Sequence, residues 1–197
     1  DTSMPKVLFN FFFSKVENAT PKKKFHYTKT DLKNLNPKEN FYVWMGHSSY
    51  FLQIDGKKIL VDPVFSGSVS PLKFTNKAFD GTDIYTTEDI PELDYLVITH
   101  DHWDHLDYET VTKLRPKVKQ VITGLGTGAH LESWDFDPSK IVELDWFESQ
   151  DLGNGFKINA EPARHFSGRG FKRDQAIWAS FVLETPNSKI YIGGDSG

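Results

Sequence analysis

Three histidines and two aspartates fall within six residues of this sequence, in the segment His100-Asp101-His102-Trp103-Asp104-His105. Imidazole and carboxylate groups at this density are typical of a transition-metal site, and they suit Zn, Fe or Mn. On an extended backbone, side chains two residues apart point the same way, so His100 and His102 can bind one ion together. Asp104 and His105 come after the chain turns, and they can face a second ion about 3.5–4 Å from the first. The pattern favours a metal site over a solvated histidine-rich loop.

The composition excludes several kinds of metal site and several classes of protein. The chain has 197 residues and no cysteine, which excludes a disulfide framework, a thiolate metal site and a cysteine nucleophile. Any transition metal must therefore be held by His, Asp or Glu. No apolar run approaches the ~20 residues that a membrane-spanning helix needs. Aromatic residues make up 14% of the chain, which argues against a disordered protein.

The charge is distributed unevenly along the chain. The net charge is −4, but residues 1–40 carry 8 Lys against 4 acidic residues, and residues 41–197 carry 15 Lys and Arg against 23 acidic residues. The acidic body argues against a nucleic-acid partner. We predict that residues 1–40 form a basic and aromatic arm and that residues 41–197 form the domain. Localisation stays open between the cytoplasm and an exported or membrane-associated state after removal of an upstream signal.

The arm contains the run Leu8-Phe9-Asn10-Phe11-Phe12-Phe13 and, further on, Lys22-Lys23-Lys24. One interpretation is a peripheral membrane contact, with aromatic rings at the level of the lipid headgroups and lysines near the phosphates. The alternative is an arm that packs its phenylalanines onto the domain and leaves its lysines in solvent. Both interpretations follow from the same residues.

The elements that must position the histidine cluster are mostly strands. Strands are predicted at 41–44, 50–54, 58–61, 95–99, 120–122, 141–144, 156–160, 179–184 and 189–192. Asp55-Gly56 predicts a hairpin between the second and third of them. Short helices are predicted after Asp107, which is a candidate N-cap, and over residues 127–134. Residues 64–92 are predicted to form a long loop. The sum is an α+β sandwich with its few helices on the outside.

The cluster stands where the apolar strand 95–99 ends, and its pattern resembles the His-x-His-x-Asp-His signature of the metallo-β-lactamase superfamily. Three further landmarks agree with that family in order and spacing, each of them following a predicted strand: Asp62, His165 and Asp195. The resemblance covers residues 41–197 and implies an αββα sandwich, of which this chain would be the N-terminal portion only.

Within the superfamily, the resemblance is to the branch of N-acyl-phosphatidylethanolamine-hydrolysing phospholipase D and its bacterial relatives. The segments that carry it are Trp44-Met45-Gly46-His47-Ser48-Ser49, Asp62-Pro63-Val64-Phe65-Ser66, Ser70-Pro71, His105-Leu106-Asp107-Tyr108, Glu143-Leu144-Asp145-Trp146 and Trp178-Ala179-Ser180. The resemblance implies a dinuclear hydrolase whose nucleophile is a hydroxide between the two ions. The expected substrate is a phosphodiester in an N-acyl-phosphatidylethanolamine-like lipid. The alternatives are a metal-dependent lactonase of a soluble sugar-phosphate type of substrate, and a metal-binding fragment without turnover.

The resemblance also assigns ligands. It implies that His100, His102 and His165 hold the first ion, and that Asp104, His105 and a bridging Asp195 hold the second. Zn is expected at both positions, with Fe or Mn as alternatives. Asp104 is also a candidate catalytic residue, because a carboxylate beside bound water can accept or donate a proton.

Three residues are candidates for support of the metal site or for contact with the substrate: Asp62, His47 and Arg169. Asp62 would support the site from behind the ligands, and Arg169 could meet a phosphate or lie in a solvated loop. His47 could line the site or satisfy backbone groups near it. His26 and His130 are predicted to be structural or exposed.

The sequence departs from the family pattern at one ligand. The family places a last histidine for the second ion on a strand after the bridging aspartate, and only Ser196 and Gly197 follow Asp195 here. We therefore expect a domain that is incomplete at its C-terminus. It would be a fragment of a longer gene product, a chain completed by an oligomer partner or a complementing segment, or a stable half-domain.

Overall fold

The computed structural model describes residues 19–70, 77–169 and 173–196, together with the single positions Lys6, Phe9, Phe13, Ser14 and Glu17. The strands are β1 Phe41–Trp44, β2 Tyr50–Ile54, β3 Lys57–Val61, β4 Leu93–Ile98, β5 Val118–Gly124, β6 Ile141–Leu144, β7 Ser149–Gly153, β8 Phe156–Pro162, β9 Ala179–Glu184 and β10 Lys189–Ile192. The helices are α1 Tyr108–Leu114 and α2 Gly128–Ser133, and 3₁₀ turns cover Arg115–Lys117 and Pro138–Lys140.

Strands β1 to β6 form one mixed sheet in sequence order. The first three strands are antiparallel, and β3, β4, β5 and β6 run parallel. The predicted hairpin between β2 and β3 is confirmed. Asp55 and Gly56 have φ of 47° and 79°, and positive φ at both central residues is what a type I′ hairpin turn requires.

Strands β7 to β10 form a second, antiparallel sheet in the order β10-β9-β8-β7. An apolar cluster lies between the two sheets, with Val97 from β4, Ile122 from β5, Ile158 from β8 and Phe181 from β9 among its buried members. Strand β4 sends Leu96 and Ile98 into a separate cluster on the other face of the first sheet. The prediction that this strand is buried on both faces is confirmed.

The second cluster packs the helices against the first sheet. It contains Val111 and Leu114 from α1 and Leu131 from α2, and it also takes Leu32 from the predicted arm. The described layers are therefore helix, sheet and sheet, which confirms the α+β sandwich of the metallo-β-lactamase type. In the arm, Phe9 and Phe13 are exposed, whereas the other residues of the aromatic run lie outside the described residues.

Asp107 occupies the N-cap position of α1, as predicted, but its side chain caps no backbone amide there. Its Oδ2 instead accepts hydrogen bonds from Thr110 Oγ1 and from the amide of Ser66, 3.1 Å away. This carboxylate therefore ties the loop after β3 to the helix. Among the described residues, no helix is both long enough and apolar enough to cross a bilayer.

Candidate metal centre

The predicted site residues meet at the carboxyl ends of strands from both sheets. Asp62 follows β3, and the segment 99–105 follows β4. From the second sheet, His165 comes soon after β8 and Asp195 soon after β10. Two hydrogen bonds hold the sheets together nearby, from the amide of Ala179 to the carbonyl of Thr99 and from the amide of Ile177 to the carbonyl of Leu125.

Three imidazoles form the first group of candidate ligands. His102 Nδ1 lies 3.0 Å from His100 Nε2 and 3.0 Å from His165 Nε2. Burial and the neighbouring histidines lower the pKa of His100 to about 2, and burial with His165 also lowers the pKa of His102. Neutral imidazole is the form that binds metals. The three ring nitrogens lie within 4.8 Å of one another and fit the predicted first ion.

His105 and Asp195 extend this group. The nearest ring nitrogens of His100 and His105 and a carboxylate oxygen of Asp195 also lie within 4.8 Å of one another. His105 Nε2 is 3.2 Å from Asp195 Oδ1 and has no well-oriented hydrogen bond among the described residues, although it is fully buried. Buried polar atoms without a partner are rare in folded proteins. A cation at this point would satisfy the nitrogen, so the residues present fit a metal here.

Asp104 and His47 form the third group with His105. Their ligand atoms again lie within 4.8 Å of one another, and His47 Nε2 is 3.0 Å from Asp104 Oδ2. Burial alone would raise the pKa of Asp104, but the hydrogen bond from His47 and the charge of His105 outweigh it and hold that pKa well below its usual range. Asp104 is therefore ionised at neutral pH, as a metal ligand must be.

Asp62 supports the site from behind the ligands. Its carboxylate is 1% exposed and accepts hydrogen bonds from the Thr99 amide (2.8 Å), from Thr99 Oγ1 (2.7 Å) and from His105 Nδ1 (2.8 Å). The bond to Nδ1 leaves Nε2 of His105 to face the cluster. Burial lowers the pKa of His105, but Asp62 and Asp195 outweigh it and raise that pKa to about 10. A cation at Nε2 would take the place of that proton.

The suggestion that Arg169 meets a phosphate is not supported by its position. Its Nη1 donates to the carbonyls of Asp101, 3.0 Å away, and of Leu106. Its guanidinium also lies over the ring of Trp103, 4.1 Å from the centroid, and 5.2 Å from that of Trp134. Burial lowers the pKa of Arg169 to about 10, against the charges of Asp101 and Asp107, so it stays charged at neutral pH. Arg169 therefore braces the ligand loop.

Asp101 is a second brace, which the sequence analysis missed. Its buried carboxylate accepts a hydrogen bond from the amide of Gly168 at 2.7 Å and lies 3.6 Å from His130 Nε2. It thereby joins the loop of His100 and His102 to the loop that carries His165. The signal was present, because on an extended segment the residue between two ligands points away from the metal and into the scaffold.

An apolar cavity of about 540 Å³ reaches one of the candidate metal-binding residues, His47. Phe25, Trp44, Val64 and Phe79 line it, and His47 belongs to its wall. His47 therefore stands between the cavity and Asp104. The residues from Gly67 to Val69 and from Lys77 to Ala78 complete much of the lining, so the loop after β3 forms one side of the cavity.

Comparison with known proteins gives one matching family and several relatives. A family model described as "Beta-lactamase superfamily domain" matches residues 57–197. An uncharacterized protein of Mycobacterium tuberculosis is 41% identical over 155 residues, which cover 78% of this chain and 41% of the relative. N-acyl-phosphatidylethanolamine-hydrolyzing phospholipase D 1 of Caenorhabditis elegans is 31% identical over 166 residues, which cover 80% of this chain and 47% of that protein.

Among solved structures, CmlA, a diiron β-hydroxylase from Streptomyces venezuelae, superposes with a TM-score of 0.59 and 26% sequence identity. The superposition covers 82% of this chain and 30% of CmlA. The chain thus spans less than half of the length of each of these three proteins. The family match over residues 57–197 includes Asp62 and every candidate ligand from His100 onward, whereas His47 precedes it.

Proposed function

Because the chain belongs to the β-lactamase superfamily, the family of the metallo-β-lactamase fold, we propose that it is a metal-dependent hydrolase. We propose further that it cleaves a phosphodiester in an N-acyl-phosphatidylethanolamine-like lipid. The observation that carries the proposal is the position of the apolar cavity, because His47 belongs both to its wall and to the ligand group of Asp104 and His105. A substrate with a long apolar part can fill such a cavity while its polar group stands at the ligands.

His100, His102 and His165 would hold a first divalent ion, and Asp104, His105 and Asp195 would hold a second. The structure places Asp195 in one ligand group with His100 and His105, and Asp104 in another with His47 and His105. Two such ions, when bound, lower the pKa of water and stabilise the attacking and leaving oxygens of a phosphoester. Zn is the metal that we propose, because nitrogen and carboxylate donors without thiolate suit it.

Other residues of the chain orient the candidate ligands and exclude water from the cavity. Asp62 fixes the ring of His105 through Nδ1. Asp104 stays ionised because its pKa is held low, so it accepts a hydrogen bond more readily than it stores a proton. The role of Asp104 in proton transfer therefore stays a prediction. The aromatic walls of the cavity would keep water from the apolar part of the substrate.

The decisive assay compares substrates on the metal-loaded chain. We expect Zn-dependent hydrolysis of N-acyl-phosphatidylethanolamine in vesicles. The release of phosphatidic acid measures this reaction. We expect little hydrolysis of a panel of lactones. Cleavage of lactones alone would contradict the phosphodiesterase proposal and favour the lactonase, and cleavage of neither, at full metal occupancy, would favour a binding fragment.

A pair of variants tests the role of the cavity. Phe79 lines the cavity, whereas Phe147 is an exposed phenylalanine that does not. We expect Phe79→Ser to lower lipid cleavage about tenfold, with cleavage of the small diester bis(p-nitrophenyl) phosphate unchanged. Phe147→Ser should change neither rate. Equal loss on both substrates in Phe79→Ser would show that the cavity does not hold the apolar part.

A further inference from the structure

We propose that His47 is itself a ligand of the second ion, together with Asp104 and His105. From the sequence alone, His47 was expected only to line the site or to satisfy nearby backbone groups. The structure points its imidazole at Asp104, with Nε2 3.0 Å from Oδ2. This inference concerns metal binding alone and stands or falls apart from the choice of substrate.

The separations fit shared coordination. In a tetrahedral Zn site with ligand distances of ~2.0–2.1 Å, neighbouring donor atoms are roughly 3.3 Å apart. The Nε2–Oδ2 separation of 3.0 Å between His47 and Asp104 is close to that value. The nearest ring nitrogen of His105 completes a set whose atoms all lie within 4.8 Å. His47 and His105 meet edge to face, with their ring centroids 5.8 Å apart.

The backbone around His47 is held in an uncommon conformation. Gly46 has φ of 102° and His47 has φ of 44°, a region that side chains other than glycine rarely adopt. A Cβ at Gly46 would lie 2.5 Å from the carbonyl oxygen of Thr82. Strained backbone of this kind tends to occur at functional sites, where the surrounding structure maintains it.

Three hydrogen bonds maintain this turn. The amide of Met45 donates to the carbonyl of Ser49 and the amide of Ser49 donates to the carbonyl of Gly46, both at 2.9 Å. Trp44 Nε1 donates to the carbonyl of His47 at 2.9 Å. These bonds use backbone groups and leave both ring nitrogens of His47 for other partners. The imidazole therefore reaches Asp104 from a fixed point.

The competing explanation is that His47 only orients Asp104 by a hydrogen bond. The two explanations differ in what a glutamine does at this position. The side-chain amide of glutamine reaches about as far as Nε2 and can donate to a carboxylate, but it is a poor ligand of Zn. His47→Gln should therefore preserve the second ion if His47 orients Asp104, and weaken it if His47 is a ligand.

The test is a titration of the metal-free full chain with Zn²⁺ in competition with a chelator. We expect two equivalents in the wild type. His47→Gln should lower the affinity for the second equivalent by at least about tenfold and leave the first within twofold. His26→Gln is the matched control, because His26 is exposed and belongs to none of the ligand groups. It should bind both equivalents as the wild type does.

A spectroscopic readout on the wild type makes the test independent of how the variants fold. In two-dimensional ¹H–¹⁵N spectra of the imidazoles, the first equivalent of Zn²⁺ should shift the ring nitrogens of His100, His102 and His165. The second should shift Nε2 of His47. A wild type that binds one equivalent only, a second equivalent that leaves His47 unshifted, or a His47→Gln chain that binds both ions normally would each overturn the proposal.

Discussion

The two edges of the parallel strands β3, β4 and β5 differ in how their ionisable side chains are paired. At the amino-terminal edge, the carboxylate of Asp94 forms ion pairs with Lys119 Nζ at 2.9 Å and with Lys57 Nζ at 3.4 Å. It also accepts a hydrogen bond from the amide of Lys58 at 3.0 Å. At the carboxyl edge, three imidazole nitrogens converge and a buried nitrogen of His105 lacks a hydrogen bond among the described residues. The charges at the amino-terminal edge are paired with one another, whereas the groups at the carboxyl edge are ones that a bound cation would satisfy.

The difference shows where the fold serves stability and where it serves function. Charges that pair with opposite charges, as those around Asp94 do, stabilise the native state modestly. Converging nitrogens of the same kind contribute little or nothing to folding unless something binds between them. Proteins break the rules of consistent packing and pairing mainly at functional sites. A variant at the carboxyl edge can therefore be compared with a matched variant at the amino-terminal edge.

The largest effect is expected from removal of the central imidazole. His102→Ala leaves His100 and His165 without their shared neighbour, so the dissociation constant for the first Zn²⁺ should rise by more than ~100-fold, beyond the usual effect of losing a supporting residue. Chelator competition measures this. Lys119→Ala, at the other edge, should leave the constant unchanged. If His102→Ala and Lys119→Ala bound the first Zn²⁺ with the same affinity, the carboxyl edge would not be the metal-binding edge.

Asp62→Asn tests the support behind the ligands. Asparagine keeps the shape of the side chain and tolerates the φ of 43° at this position. Loss of the charge that orients His105 should weaken binding at the second ion by about 10–100-fold. It should also lower the free energy of unfolding of the metal-free chain by about 1–3 kcal/mol. The matched change Asp94→Asn should leave metal binding intact. A variant Asp62→Asn with wild-type affinity would show that Asp62 does not hold His105 for the metal.

Arg169→Met tests the brace of the ligand loop. Methionine retains apolar contact with Trp103 but loses the hydrogen bonds to the carbonyls of Asp101 and Leu106. We expect a loss of about 1–3 kcal/mol in the free energy of unfolding, measured with urea. The affinity for the first Zn²⁺ should fall about threefold to tenfold, since the ligands become less well positioned. Unchanged stability and affinity would mean that this loop is held by other contacts.

The smallest effect is a pH dependence at the amino-terminal edge. Burial would raise the pKa of Asp94, but the Lys58 amide and the lysine side chains outweigh it, so the folded pKa lies below its ordinary value. Its contribution is thus complete above about pH 5 and is lost as the pH falls through ~4 towards the folded pKa. Asp94→Asn should be about 1 kcal/mol less stable than the wild type at pH 7, with the difference shrinking by pH 3.

The urea midpoint of both chains, measured at several pH values, checks this. A difference that grows on acidification would mean that Asp94 is not stabilised by the lysines around it. Metal binding at neutral pH serves as the internal control, because this edge takes no part in it.

The fold and the clustering of the candidate ligands were predictable where local pattern and motif suffice. A short run of apolar residues such as Leu96 to Ile98 favours a buried strand, and Asp55-Gly56 between two such runs favours a tight hairpin turn. Strand β7, Ser149–Gly153, was missed because its sequence is polar and exposed residues alternate with half-buried ones along it. Its structure comes from pairing with β8 and not from its own composition.

The supporting residues were harder to predict because they depend on distant partners. The position of Arg169 follows from Trp103 and Trp134, which lie 66 and 35 residues earlier in the chain. The direction of His47 depends on a turn with positive φ and on Asp104, 57 residues away. No periodicity in the sequence reports such contacts, and only the folded chain brings the groups together.

The carboxyl edge of the first sheet is the part of the molecule that we expect to bind metal ions. The most direct measurement is the thermal midpoint of the wild-type chain at increasing free Zn²⁺, since a ligand that binds only the native state raises it by mass action. We expect a midpoint that rises with Zn²⁺ in the wild type and in Asp94→Asn, and a much weaker rise in His102→Ala. A wild-type midpoint that does not depend on Zn²⁺, Mn²⁺ or Fe²⁺ would show that this edge of the sheet is not a metal centre.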